Sequence, residues 1–106
     1  MTEPVAGPSD PGSVVMELGA DVGALILFTP AAMDGWEIEI SRDDDPDDRR
    51  THSQVRRRNV ATVTKYAALY PGLRAGQYTI WSDEQRPVVT TVVTGGQITS
   101  CRWPES

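Results

Sequence analysis

Trp36-Glu37-Ile38-Glu39-Ile40 alternates large apolar and acidic side chains without a break. A strand sends successive side chains to opposite faces, so Trp36, Ile38 and Ile40 are predicted to face an interior, and Glu37 and Glu39 to face water. Slipping the pairing by one residue would bury both carboxylates, so this strand carries its own register. A strand with one dry face needs a second layer to cover it.

The remaining chain offers short β-like runs for that purpose. Val14, Met16 and Leu18 fall on one face of a first strand, ended by Gly19 to Asp21. Val22 to Phe28 is apolar on both faces, as expected of a central strand, and its length and the nearby Pro30 argue against a helix. Asp34-Gly35 marks a turn. Thr51 to Val60 is polar and predicts one exposed edge strand, with Arg56 and Arg58 on one face and Arg57 on the other; charges on both faces protect an edge from pairing with other chains. Ala61 to Tyr70 is β-prone through Val63, Tyr66, Leu69 and Tyr70, although its alanines also permit a short helix. Pro71 to Gly76 reads as a connection of turn formers, and Tyr78 to Trp81 as the next strand. Val88 to Thr94 and Gln97 to Trp103 flank Gly95-Gly96, the pattern of a two-residue hairpin. The expected fold is an all-β, antiparallel β-sandwich of seven or eight short strands over residues 13–104, after a Pro- and Gly-rich flexible tail at 1–12.

A chain of 106 residues has room for one core. It buries roughly 65% of its unfolded surface, enough to fold without disulfide staples. Cys101 is the only cysteine, which excludes an intrachain disulfide and fits a reducing compartment, although small exported bacterial proteins can also lack disulfides. The first twelve residues have neither the basic nor the apolar region of a signal peptide, and Val22 to Phe28 is too short to span a bilayer. A soluble, cytoplasmic protein without a membrane partner is expected.

The net charge of −5 argues against general affinity for nucleic acid, but it conceals a segregation. Residues 1–48 carry a net −11 and residues 49–106 a net +6. Because a sandwich interleaves the two halves in space, the favoured reading is that they largely cancel on folding. The alternative is a polarised surface used for docking.

Ala67 to Ile80 contains an aromatic, Leu, Gly and Tyr at Tyr70, Leu73, Gly76 and Tyr78. This spacing resembles the strand–turn–strand segment of transthyretin-like (prealbumin-like) sandwiches, a group that includes the Cna-B repeats and the carboxypeptidase regulatory-like domains. The resemblance covers about 15 residues. It implies that Leu73 plugs one end of the sandwich, that Gly76 takes a backbone shape closed to other residues, and that Tyr78 covers the core with its hydroxyl at the rim. The known chemistries of the group do not carry over. Its hydroxyisourate hydrolases need two histidines, an arginine and a Tyr-Arg-Gly-Ser terminus, whereas this chain has only His52 and ends Trp-Pro-Glu-Ser. The isopeptide of Cna-B repeats joins an early lysine to a late asparagine, and here the single lysine and asparagine are Lys65 and Asn59.

Several clusters invite a functional reading. Asp43, Asp45 and Asp47, within a run of five carboxylates, are candidate oxygen ligands for Ca²⁺. An EF-hand loop starting at Asp43 would want Gly and Glu where Asp48 and Gln54 stand, so a solvated loop is the favoured reading. Arg49-Arg50 and Arg56 to Arg58 could hold an anion or an acidic surface; neutralisation of the neighbouring aspartates is the simpler reading. His52 and Cys101 could pair as base and nucleophile, but no local signature supports it, and Cys101 shares parity with Trp103, as a buried thiol would. Trp81 has the parity opposite to Tyr78 and Ile80, so it either lies under a loop or offers a contact surface. No phosphate-cradling Gly-rich loop, zinc pattern or serine elbow is present, and no cofactor is expected.

Two functions follow from these residues. The first is a non-catalytic interaction module that docks to another protein, or to itself, through the edge at Thr51 to Val60. The second is a small-ligand protein or enzyme with a pocket of His52, Arg56, Arg58 and Trp81.

Overall fold

Val22 to Phe28 has no polar side chain on either face, and the fold uses it as an interior strand. The computed structural model describes residues 20–47, 49–83 and 86–104. Eight strands dominate: β1 (Val22–Thr29), β2 (Glu37–Arg42), β3 (Arg50–Gln54), β4 (Arg56–Val60), β5 (Val63–Arg74), β6 (Gly76–Asp83), β7 (Arg86–Val93) and β8 (Ile98–Arg102). A single 3₁₀ turn, Ala31–Met33, follows β1. The strands form two four-stranded sheets, ordered β4-β5-β1-β8 and β3-β2-β6-β7, called here the β1 layer and the β2 layer. The expected all-β architecture is present. The β2 layer is antiparallel throughout, but the β1 layer is mixed, because β8 runs parallel to β1 from Ala24↔Ile98 to Phe28↔Arg102.

The layers meet over a core to which five of the eight strands contribute buried side chains. Leu25 and Leu27 from β1, Ile38 and Ile40 from β2, Ala68 and Tyr70 from β5, Ile80 from β6 and Val93 from β7 are all buried. Burying each large apolar side chain contributes about 1.5–3 kcal/mol, so the alternation of β2 is enforced by energy rather than by propensity alone. Leu73 and Tyr78 join the same core, and the Tyr78 hydroxyl donates to the Arg74 carbonyl at 2.8 Å. A smaller apolar cluster of Ile26, Ala67 and Leu69, with Phe28 against it, lies on the other face of the β1 layer.

Four expectations need correction. Trp36 does not face the core; it is half exposed, and β2 begins only at Glu37. Its backbone belongs to the preceding turn, with its N–H donating to the Met33 carbonyl and its carbonyl accepting from the Val55 N–H. Buried Met33 joins the core from this turn instead.

Thr51 to Val60 is not one strand. It breaks at Val55 into β3, which pairs with β2, and β4, which pairs with β5 in the other layer. Val55 is fully buried at the crossing, and Gly35 and Trp36 satisfy its backbone carbonyl and N–H. Both halves are still edge strands of their sheets.

Pro71 and Gly72 do not form a connection but continue β5. The pairings Gly23↔Leu73 and Leu25↔Tyr70 leave them as a bulge opposite Ala24, a place where the missing proline N–H costs no ladder hydrogen bond. The chain reverses later, at Ala75-Gly76. Gly76 has φ 152°, and a Cβ on it would lie 2.6 Å from Nε of Arg42, whose guanidinium donates twice to the Ala75 carbonyl.

Gly95-Gly96 is a crossing between layers rather than a hairpin, since β7 and β8 lie in different sheets. The Gly96 N–H donates to the Val22 carbonyl, and a Cβ on Gly95 would collide with the Ala20 carbonyl oxygen. Glycine is needed there for close passage over the backbone that leads into β1. The strand expected at Val14 to Leu18 and the tail at 1–12 lie outside the described residues.

Candidate functional site

His52 and Trp81 come together on the outward face of the β2 layer. Glu39 pairs with His52 on one side and with Trp81 on the other, so the three side chains share that face. Trp81 is half-buried there: its Nε1–H donates to Ser41 Oγ at 2.9 Å, and the Arg50 guanidinium lies 3.9 Å from the ring centroid. Arg50 also donates to Glu39 at 3.2 Å. The ring face is thus taken by Arg50 and the indole N–H by Ser41, as in a clasp. His52 is exposed and stands 3.8 Å from the Glu37 carboxylate, beyond hydrogen-bond reach.

The aspartate loop between β2 and β3 is tied to its surroundings. Asp43 accepts from the Thr79 hydroxyl at 2.6 Å and from the Gln77 side-chain amide at 2.8 Å. Asp44 pairs with Arg42 at 2.8 Å. Asp45 accepts the Asp47 N–H with one oxygen and faces Arg49 with the other. The Asp47 amide, with Arg49 and Arg42 adding charge, holds the Asp45 carboxyl below its ordinary range. The local charge neutralisation read from sequence is thus visible for Arg49. Among the described residues no three carboxylate, imidazole or thiol groups gather in a way that could hold a metal ion.

Arg56 and Arg58 lie in the opposite layer from His52 and Trp81, so the predicted site residues do not form one pocket. Cross-strand partners share a face, and the register places Arg56 opposite Ala67 and Arg58 opposite Lys65. Ala67 in turn faces Phe28, and Phe28 faces Arg102 on β8. The outward face of the β1 layer therefore carries Arg56, Arg58, Lys65 and Arg102 around Phe28. The Lys65 ammonium lies 5.4 Å from the Phe28 ring centroid, and Arg58 donates to the Ala67 carbonyl at 3.1 Å. Partial burial, then the charge of Arg56, lowers the affinity of Arg58 for its proton.

Charge is sorted by layer. Every charged side chain on the strands of the β1 layer is a cation: Arg56, Arg57, Arg58, Lys65, Arg74 and Arg102. The five ion pairs found among the described residues all belong to the β2 layer and its 43–49 loop. Among the described residues, the expected cancellation between the two halves of the chain is thus seen in one layer only. Lys65, Phe28 and Arg102 escape a sequence reading because nothing local marks them; only the pairing of four strands sets them beside Arg56 and Arg58.

No family model, no curated protein and no solved structure matches this chain.

Proposed function

We propose that this protein is a non-catalytic binding module that docks an acidic protein surface on the outward face of its β1 layer. The observation that carries this reading is the layer's charge: six cations on its strands, of which Arg56, Arg58, Lys65 and Arg102 share the outward face, no acid among them, and no carboxylate at ion-pair distance among the described residues. A single-sign field of this kind speeds encounter with a partner of opposite sign and rejects one of like sign. It also favours a different protein over a second copy at the β4 edge, because two β4 strands side by side would stack arginine on arginine.

Absence of catalysis is supported by the separation of the candidate groups. Cys101 belongs to β8 and His52 to the outward face of the β2 layer, and burial raises the Cys101 pKa, which keeps it a thiol rather than a thiolate. A transthyretin-like architecture and a cytoplasmic location remain parts of this proposal. The first is supported by buried Leu73, the Gly76 conformation and the capped Tyr78, and the second by the lone cysteine. No helix among the described residues is long and apolar enough to cross a membrane.

The test is a titration with a decaglutamate peptide at about 50 mM salt, where surface charge is weakly screened, followed by amide chemical shifts. Shifts at Arg56, Arg58, Lys65 and Arg102, weakened about tenfold in Arg56→Gln/Arg58→Gln, are expected. Shifts confined to the β2 layer, or none, would overturn the reading.

A further inference from the structure

Beyond the docking face itself, a cleft of about 740 Å³ opens at the end of the β1 layer, where β1 leaves toward the 3₁₀ turn. We propose that this cleft is a binding site for a small organic carboxylate with a flat apolar body. Its volume lies within the range of ligand pockets, roughly 300–1,000 Å³.

The walls combine two chemistries. Phe28, Tyr66 and Trp103 supply aromatic surface, and Lys65 and Arg102 supply positive charge. Trp103 is held in place because its N–H donates to the Phe28 carbonyl at 2.7 Å, which carries the β1–β8 pairing one residue past Arg102. Phe28 pairs with Arg102 on one side and lies within 5.4 Å of the Lys65 ammonium on the other, so an anion at the ring's edge lies between the two cationic residues.

The hydroxyls sort themselves by use. Thr29 donates to the Pro30 carbonyl and Thr64 to Asn59, so both protons are already committed. Ser100 shares the outward face with Arg102, two residues along β8, and is exposed. Its hydroxyl can donate to the same anion. No carboxylate lines the cleft among its described residues, and the Cys101 thiol, kept protonated by burial, adds no opposing charge. An apolar body with one negative end matches this division of the walls. A fully hydrated anion would leave the aromatic surface unused.

The site shares Lys65 and Arg102 with the docking face but not Arg56 or Arg58, so naphthoate binding should persist in Arg56→Gln/Arg58→Gln, where peptide binding falls. The probe is 1-naphthoate, followed through the Trp103 indole and the Lys65, Ser100 and Arg102 amide resonances. Saturable binding in the millimolar range is expected for a ligand of this size. Acetate (charge without ring) and 1-naphthalenemethanol (ring without charge) should each bind at least about tenfold more weakly. Lys65→Gln/Arg102→Gln and, separately, Ser100→Asp should weaken naphthoate by a similar factor while keeping a dispersed amide spectrum. Equal binding of the uncharged alcohol, unchanged affinity in either folded variant, or no saturation in the wild-type protein would overturn the proposal. Decaglutamate titrated into the wild-type sample separates the two readings: peptide binding that survives when naphthoate fails removes the cleft and leaves the docking face.

Discussion

The Tyr70 hydroxyl donates a 2.8 Å hydrogen bond to the Ile38 carbonyl and so joins β5 of one layer to β2 of the other through the buried core. Both residues are almost fully buried, so no water replaces the bond if it is lost. Tyr70→Phe keeps the ring and deletes only this link. A loss of about 1–2 kcal/mol is expected, the usual cost of a buried carbonyl left without its donor. Urea unfolding measures it, and an unchanged midpoint would show that the bond contributes nothing.

The same hydroxyl predicts an alkaline limit to stability. Burial foremost, then the charge of Glu37, raises the Tyr70 pKa far above its ordinary 10.0. Above pH 10 the unfolded chain therefore loses this proton while the folded chain keeps it, and stability falls as pH rises. The contribution is fully present below the unfolded value. Tyr78 is raised as well, chiefly by burial, and acts in the same direction. Unfolding midpoints measured between about pH 9 and 11 should fall more steeply for the wild type than for Tyr70→Phe.

Arg50 stacked on Trp81 makes a separate prediction about the β2 layer. Arg50→Gln removes both the cation above the ring and the charge facing Glu39. An expected loss of about 0.5–1 kcal/mol reflects the partial exposure of the pair. The Trp81 indole N–H resonance should move as the ring is uncovered, even where the stability change is small. A stationary indole signal would argue that the ring does not need the guanidinium.

Gly76 and Arg42 should be coupled. Gly76→Ala places a methyl against the Arg42 guanidinium at a φ that other residues rarely adopt, and a loss of about 1–2 kcal/mol is expected. Part of that loss is steric and should vanish when Arg42 is shortened. In a double-mutant cycle with Arg42→Ala, the two losses should therefore sum to more than the loss in the double variant. Strict additivity would mean that the backbone conformation alone carries the cost.

What the sequence discloses is the inward face of β2 and the two-sided burial of β1; what it withholds is the sheet to which each strand belongs. Ile38, Ile40 and the apolar run of β1 are readable because burial acts on every second residue, or on all of them. The split at Val55 is not, since a single buried valine in a polar run resembles an edge residue until its neighbours pair with different sheets. Gly95-Gly96 reports correctly that the backbone needs freedom, but the reason is passage over Ala20 rather than a tight hairpin. The candidate site follows the same division. The arginines of β4 stand out as a cluster, whereas Lys65, Phe28 and Arg102 become their neighbours only through register. His52 and Trp81 do converge, yet the residue that occupies the tryptophan is Arg50, which sequence reading assigned to neutralising aspartates.

The parallel pairing of β8 with β1 also sets an order of events during synthesis. Ala24 and Ile98 are 74 residues apart along the chain, so the interior strand of one layer waits for β8 to leave the ribosome before its second edge is covered. Contacts of such long range slow folding, because the intervening chain must be closed into a loop first. The four strands of the β2 layer close through neighbours made earlier, and can be assembled while β1 still offers a bare backbone edge to whatever the nascent chain meets.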